Sequence, residues 1–155
     1  GVYKLACAED ENGNLVPKIK VSENSEKITN PGFKNIYRIY DNKTGKAEAD
    51  LIFLRNEEPI DESKPLVIKH PKDRWKSMTF ENYTVKALQK EIVKNGKVVY
   101  NFPSLYDIKK YATLELESFW DEYKRLDKPH LYKVDLSDKL YELKQKMLEE
   151  ISDKD

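Results

Sequence analysis

The chain has 155 residues, 28 Lys+Arg against 28 Asp+Glu, and a formal net charge of zero. That balance excludes a global attraction to nucleic acid or to an anionic membrane surface. The single cysteine, Cys7, excludes an intrachain disulfide and a cysteine-based zinc site.

Charged residues make up 36% of the chain, well above the roughly 25% of an average domain. The 10 Tyr, 5 Phe and 2 Trp speak against disorder, which is usually poor in aromatics. A modest core under a heavily charged surface is expected, in one domain. No apolar run approaches the roughly 18 residues of a membrane span, and no signal peptide precedes the first strand. A soluble protein of the cytoplasm is therefore expected. The absence of an initiator Met before the apolar run Val2–Cys7 reads as a piece of a longer protein or a processed product.

In chain order, the first two thirds read as hairpins. Four of the five glycines sit in turn signals: Asn12-Gly13, Pro31-Gly32, Thr44-Gly45 and Asn95-Gly96. The first hairpin pairs Val2–Ala8 with Leu15–Val21, with Pro17 at an edge because it has no N–H for a ladder. The second pairs Asn35–Tyr40 with Ala47–Leu54, placing Ile36, Arg38 and Tyr40 on one face and Tyr37 and Ile39 on the other. Glu57–Glu62 reads as a solvated loop. Leu66–Lys69 and Lys76–Phe80 are short strands. A third hairpin runs Tyr83–Val93, turn Lys94–Lys97, then Val98–Tyr100, although Val85, Leu88 and Ile92 also fit a helical face.

Two helices follow. Ser104 caps the first, with Asp107 in its first turn. Leu105, Ile108, Ala112, Leu116, Phe119, Tyr123 and Leu126 then form one apolar stripe over about six turns, closed by Pro129. Ser137 caps the second, whose stripe is Leu140, Leu143, Met147 and Ile151. The fold class is α+β: antiparallel hairpins forming a small sheet, followed by two amphipathic C-terminal helices. Residues 1–103 form the β-rich region and 104–155 a helical tail packed on it.

Chemistry is sparse. No G-x-G-x-x-G and no P-loop is present, since the internal glycines are isolated. His70 and His130 lie in proline-flanked loops and read as exposed or capping, Cys7 as an inert buried thiol, and pairs such as Glu57/Glu58 as solvated surface. Two basic segments stand out. Lys64–Lys76 interleaves Lys64, Lys69, Lys72, Arg74 and Lys76 with Trp75, which a stand-alone module could use to grip RNA or another polyanion. Lys18–Lys34 offers Lys18, Lys20, Lys27 and Lys34 around Thr29 and the Pro31-Gly32 turn, a candidate anion contact.

This second segment carries a resemblance. Gly1-Val2-Tyr3-Lys4-Leu5, Lys18-Ile19-Lys20-Val21-Ser22-Glu23-Asn24 and Glu26-Lys27-Ile28-Thr29-Asn30-Pro31-Gly32 resemble the C-terminal region of nicotinate phosphoribosyltransferases, most of all those of Gram-positive bacteria. The likeness continues through Tyr37-Arg38, Phe102-Pro103-Ser104-Leu105 and Tyr132-Lys133-Val134-Asp135-Leu136-Ser137, in order along essentially the whole chain.

The resemblance implies an enzyme of NAD salvage. That family joins nicotinate to 5-phosphoribosyl 1-diphosphate, with Mg²⁺ on the phosphates and ATP hydrolysis coupled through a phosphorylated histidine. It implies a site at the mouth of an α/β barrel, in a homodimer. The family's catalytic histidine and phosphate loops precede the region matched here, so neither His70 nor His130 inherits that role. This chain is expected to bind no cofactor and to be silent alone. Its expected partner is the remainder of the same polypeptide, barrel and N-terminal domain, with no nucleic acid and no membrane. Lys18, Lys20, Lys27, Thr29, Gly32 and Lys34 are the candidate contacts to phosphate or to a neighbouring subunit, with structural docking the first reading of the block.

Overall fold

A computed structural model describes residues 3–153. Its first hairpin, β1 (Cys7–Glu9) with β2 (Leu15–Pro17), is shorter than the sequence pattern predicts. The ladder ends at the pair Cys7–Pro17, a non-hydrogen-bonded position that tolerates proline because an N–H there would point away from β1. One more bond, from Lys18 N to Ala6 O (2.9 Å), continues the pairing before the chain leaves it. Val2, expected in this strand, lies outside the described residues. Residues 18–33 form a loop instead of a longer arm, with a 3-10 turn at Ser25–Lys27 capped by the Asn24 side chain.

The central hairpin follows the alternation closely. β3 (Lys34–Asp41) pairs antiparallel with β4 (Ala47–Leu54), with Ile39 opposite Ala49, Tyr37 opposite Leu51 and Arg38 opposite Asp50. A register shift falls between Ile39 and Tyr40. β5 (Leu66–Lys69) and β6 (Ser77–Phe80) form a separate hairpin, from which Ile68 and Phe80 pack on Ile39, Ala49 and Leu51. This is the main core, closed by Tyr83 and flanked by Ile60, Leu66, Met78 and Val85. Tyr37 and Phe53 stack at 4.9 Å between ring centroids.

The third hairpin is corrected. Tyr83–Val93 is not one strand paired with Val98–Tyr100. β7 (Tyr83–Ala87) instead pairs antiparallel with β3, because its apolar residues Tyr83 and Val85 are buried by joining the larger sheet. The Asn95-Gly96 turn does form, with both φ angles positive (49° and 72°), but it joins only β8 (Val93–Lys94) to β9 (Lys97–Val98).

The six-turn helix is also corrected. α1 spans Leu105–Glu117 and stops; α2 is one turn, Asp121–Lys124. The sheet ends α1: Ala47 N donates to Ser118 O (2.8 Å), and Lys46 Nζ donates to Glu117 O (2.8 Å), a cation at a helix C-terminus. Trp120 then turns extended, its indole N–H donating to Glu48 Oε1 (2.9 Å). Phe119 and Tyr123 of the predicted stripe are half-buried, while Leu105, Ile108, Leu116 and Leu126 stay exposed.

A strand that the pattern did not announce, β10 (Val134–Leu136), returns to lie parallel to β4. The main sheet is thus mixed, in the order β10-β4-β3-β7. Three residues are too short for periodicity to register. From it, Ser137 caps α3 (Asp138–Ser152) by accepting from Leu140 N (3.1 Å), and α3 packs on β4 with Leu140 fully buried. The α+β class holds, with a longer helical interruption and one parallel neighbour. No helix among the described residues is long and apolar enough to cross a membrane.

Gly32 is the tightest backbone position. Its φ is +86°, its N–H donates to Ala6 O (2.7 Å), and a Cβ there would sit 2.6 Å from Leu54 Cδ2 and 3.7 Å from Leu143 Cδ2. Gly32→Ala combines left-handed strain with overpacking and should cost about 1–3 kcal/mol. Urea unfolding checks it: the midpoint should fall with an unchanged slope.

Candidate functional site

The Lys18–Lys34 block is knitted into the fold. Lys20 N donates to Thr29 Oγ1 (2.9 Å), and Thr29 N returns a bond to Lys20 O (3.2 Å). Lys34 turns its ammonium inward and donates to the carbonyls of Asn30 (2.9 Å), Pro31 (3.3 Å) and Gly32. Burial pushes the Lys34 ammonium below the usual lysine range. Lys144 of α3 donates to Asn30 Oδ1 (2.8 Å), tying the loop to the helix. Thr29, Gly32 and Lys34 therefore hold loop backbone in place. The side chains of Lys18, Lys20 and Lys27 are exposed on the same loop. The structure brings the six together on one segment, three turned inward and three outward.

The other basic segment does not form a groove for a polyanion. Lys64 pairs with Asp61 (2.9 Å) and Lys76 with Asp73 (2.7 Å). Lys69 (2.8 Å) and Arg74 both pair with Asp138 at the start of α3, and the Arg74 guanidinium lies 4.2 Å over the Tyr141 ring. These cations join the β5–β6 hairpin to α3 rather than lining a phosphate track, so the stand-alone RNA module is not supported. His70 caps its own turn, Nδ1 accepting from Asp73 N (2.9 Å), which is the capping role expected of it. His130 packs edge-on to Tyr123 (6.5 Å). Cys7 is half-buried rather than buried. Glu57 is not simply solvated: it accepts from Leu54 N (2.6 Å) and from Ser137 Oγ (2.7 Å), linking β4 to the α3 cap. Among the described residues, no group of three or more His, Cys, Asp or Glu is placed to hold a metal ion.

Two features were not predicted as sites. The first is an ion pair on the sheet face opposite the main core. Arg38 of β3 makes a bidentate bridge to Asp50 of β4, Nε to Oδ1 at 2.9 Å and an Nη to Oδ2 at 3.0 Å. Their side chains are only 14% and 11% exposed. The Tyr132 hydroxyl donates to the same carboxylate (3.1 Å), and the guanidinium lies 4.6 Å from the Phe119 ring centroid. Glu115 of α1 approaches Arg38 at 3.6 Å and also binds Lys86 of β7. Burial, then the neighbouring Asp50 charge, raises the Tyr132 phenol above the usual range. The signal was legible: a charge inside Ala-Glu-Ala-Asp-Leu-Ile-Phe needs a buried partner, and its hairpin places an arginine opposite.

The second is a cavity of about 490 Å³ between the β5–β6 hairpin and β10, lined by Ile68, His70, Met78, Tyr132, Lys133 and Asp135 among others. Asp135 is 5% exposed, and burial raises its carboxyl above the ordinary aspartate range, offset in part by His70, Lys133 and Arg74.

With this geometry in place, likeness to known proteins becomes informative. A family model described as the nicotinate phosphoribosyltransferase C-terminal domain matches residues 33–144. The chain is 37% identical over 150 residues to the nicotinate phosphoribosyltransferase of Bacillus subtilis (strain 168), covering 97% of this chain and 30% of that protein. The Caenorhabditis elegans protein of the same name is 31% identical over 142 residues, covering 91% of this chain and 24% of its own length. The crystal structure of human nicotinic acid phosphoribosyltransferase superposes with a TM-score of 0.70 at 27% identity, over 77% of this chain and 24% of that one. The chain belongs to the nicotinate phosphoribosyltransferase C-terminal domain family, and it spans 30% or less of the length of these relatives.

Two outcomes follow from the site geometry. Asp50→Ala leaves Arg38 buried without its carboxylate and should cost about 3–5 kcal/mol in urea unfolding. Asp135→Asn should raise the melting temperature. A carboxyl whose folded pKa is raised destabilises the fold once ionised. The gain should be full above that folded pKa, shrink as pH falls through it, and vanish below about 3.9, where both states are protonated. Paired thermal melts across that range check the sign.

Proposed function

We propose that this chain is the C-terminal domain of an enzyme that joins nicotinate to 5-phosphoribosyl 1-diphosphate, the entry step of NAD salvage from nicotinate, acting in the cytoplasm. The family match over residues 33–144 carries the reading. The fold likeness to the human enzyme at a TM-score of 0.70 supports it independently.

Within that enzyme the domain acts as a scaffold. The polar groups at its loops are occupied in holding its own elements together, as Lys34, Lys144, Glu57 and Arg38 illustrate. Bond formation belongs to the remainder of the polypeptide, and Lys18, Lys20 and Lys27, exposed on their loop, are the residues free to meet it.

The 155-residue chain, incubated with nicotinate, phosphoribosyl diphosphate, Mg²⁺ and ATP, should form no nicotinate mononucleotide, whereas the longer polypeptide that carries it should. Product from the short chain would place the chemistry here. No product from the long one would remove the activity from the reading.

A further inference from the structure

From Gln89 to Glu117 every residue is exposed except Tyr100 and Glu115, which are half-buried. This stretch contains the β8–β9 hairpin and all of α1, and α1 buries none of its residues. It is attached at its C-terminal end, where Glu115 meets Lys86 and Arg38 and where Lys46 caps Glu117. The rest projects as an arm.

The arm is too apolar to be finished by water. Phe102 is 72% exposed, Leu105 85%, Tyr106 75%, Ile108 48%, Leu114 55% and Leu116 59%. A 13-residue helix is also at the lower limit of what holds in water without a packing surface. Five of these six large side chains lie on α1, more than a lone soluble helix shows.

Total exposure says how much is missing. The chain presents 11801 Å² of accessible surface. A folded monomer of 18.3 kDa should present about 8,100 Å². The surplus, about 3,700 Å² on this one partner, is several times the roughly 800 Å² per side of an ordinary interface. A standard dimer contact would cover only a fraction of it. Coverage on this scale suits an obligate contact with a larger body, and the relatives carry more than two thirds of their length outside the region that this chain matches.

We infer that the arm Gln89–Glu117 clasps the preceding part of the same parent polypeptide, with the apolar face of α1 as its grip. The inference rests on the reading of this chain as one domain of a longer enzyme. It adds which element makes the contact and what it holds: an apolar surface within its own chain rather than a second copy.

The test uses the full-length enzyme. Leu105→benzoylphenylalanine, irradiated, should cross-link within one chain, to a peptide that precedes Gly1, at single-chain mass. Hydrogen exchange of the unmodified enzyme should show the α1 amides protected at least tenfold beyond those of the same segment in the 155-residue chain. Ile108→Glu should lower the melting temperature of the full-length protein. If that variant fails to fold, the cross-link and the exchange decide. A cross-linked band at twice the chain mass, no cross-link, or equal exchange in both proteins overturns the inference. Turnover of nicotinate is scored separately, so a loss of the activity reading leaves the outcome for the arm intact.

Discussion

The bidentate pair of Arg38 and Asp50 is the constraint around which one face of this domain is arranged. Neither group can be left alone at that depth, so each neighbour has a defined place. Asp50 Oδ1 accepts from the Tyr132 hydroxyl as well as from Arg38 Nε. Arg38 is stacked by Phe119 and flanked by Glu115, which in turn holds Lys86. One ion pair thereby anchors Glu115 of α1, Phe119 just beyond it and Tyr132 ahead of β10 to the same sheet face. Strands β3, β4 and β7 are joined through side chains as well as through their ladders.

On the neighbouring part of the sheet, polar side chains close backbone that regular structure leaves open. Lys34 gathers carbonyls of the loop before its own strand, and Lys144 reaches the same loop from α3. Glu57 accepts from the last residue of β4 and from the cap of α3. A domain with only 39% apolar residues has little core to spare, so hydrogen-bonded junctions do what burial does elsewhere. This use of charge agrees with a scaffolding role. Most lysines in Lys64–Lys76 likewise face a carboxylate.

Much of the fold was legible in the residues. The β3–β4 hairpin, its two faces, the β5 and β6 strands, the Ser104 and Ser137 caps and the α3 stripe all follow from alternation, helical spacing and capping chemistry. Tyr83–Val93 misled because a turn signal says only that the chain reverses, and β7 gained more burial beside β3 than beside the short arm after Gly96. The stripe from Leu105 to Leu126 misled because spacing cannot show that Lys46 and Ala47 would capture the α1 carbonyls. Of the six candidate site residues, the sequence marked the segment. It could not tell Lys34, folded inward on its own loop, from Lys18 and Lys27 pointing out.

By itself the amino-acid order determined the class of fold, the places where the chain turns and the caps of its helices, since these depend on residues within a few positions of one another. The family likeness was also readable in that order. Tertiary structure alone decided the partner of β7, the parallel return of β10 and the length of α1. Each depends on a contact between groups far apart in the chain, whose strength is set by how deeply both are removed from water, and no local pattern encodes that depth.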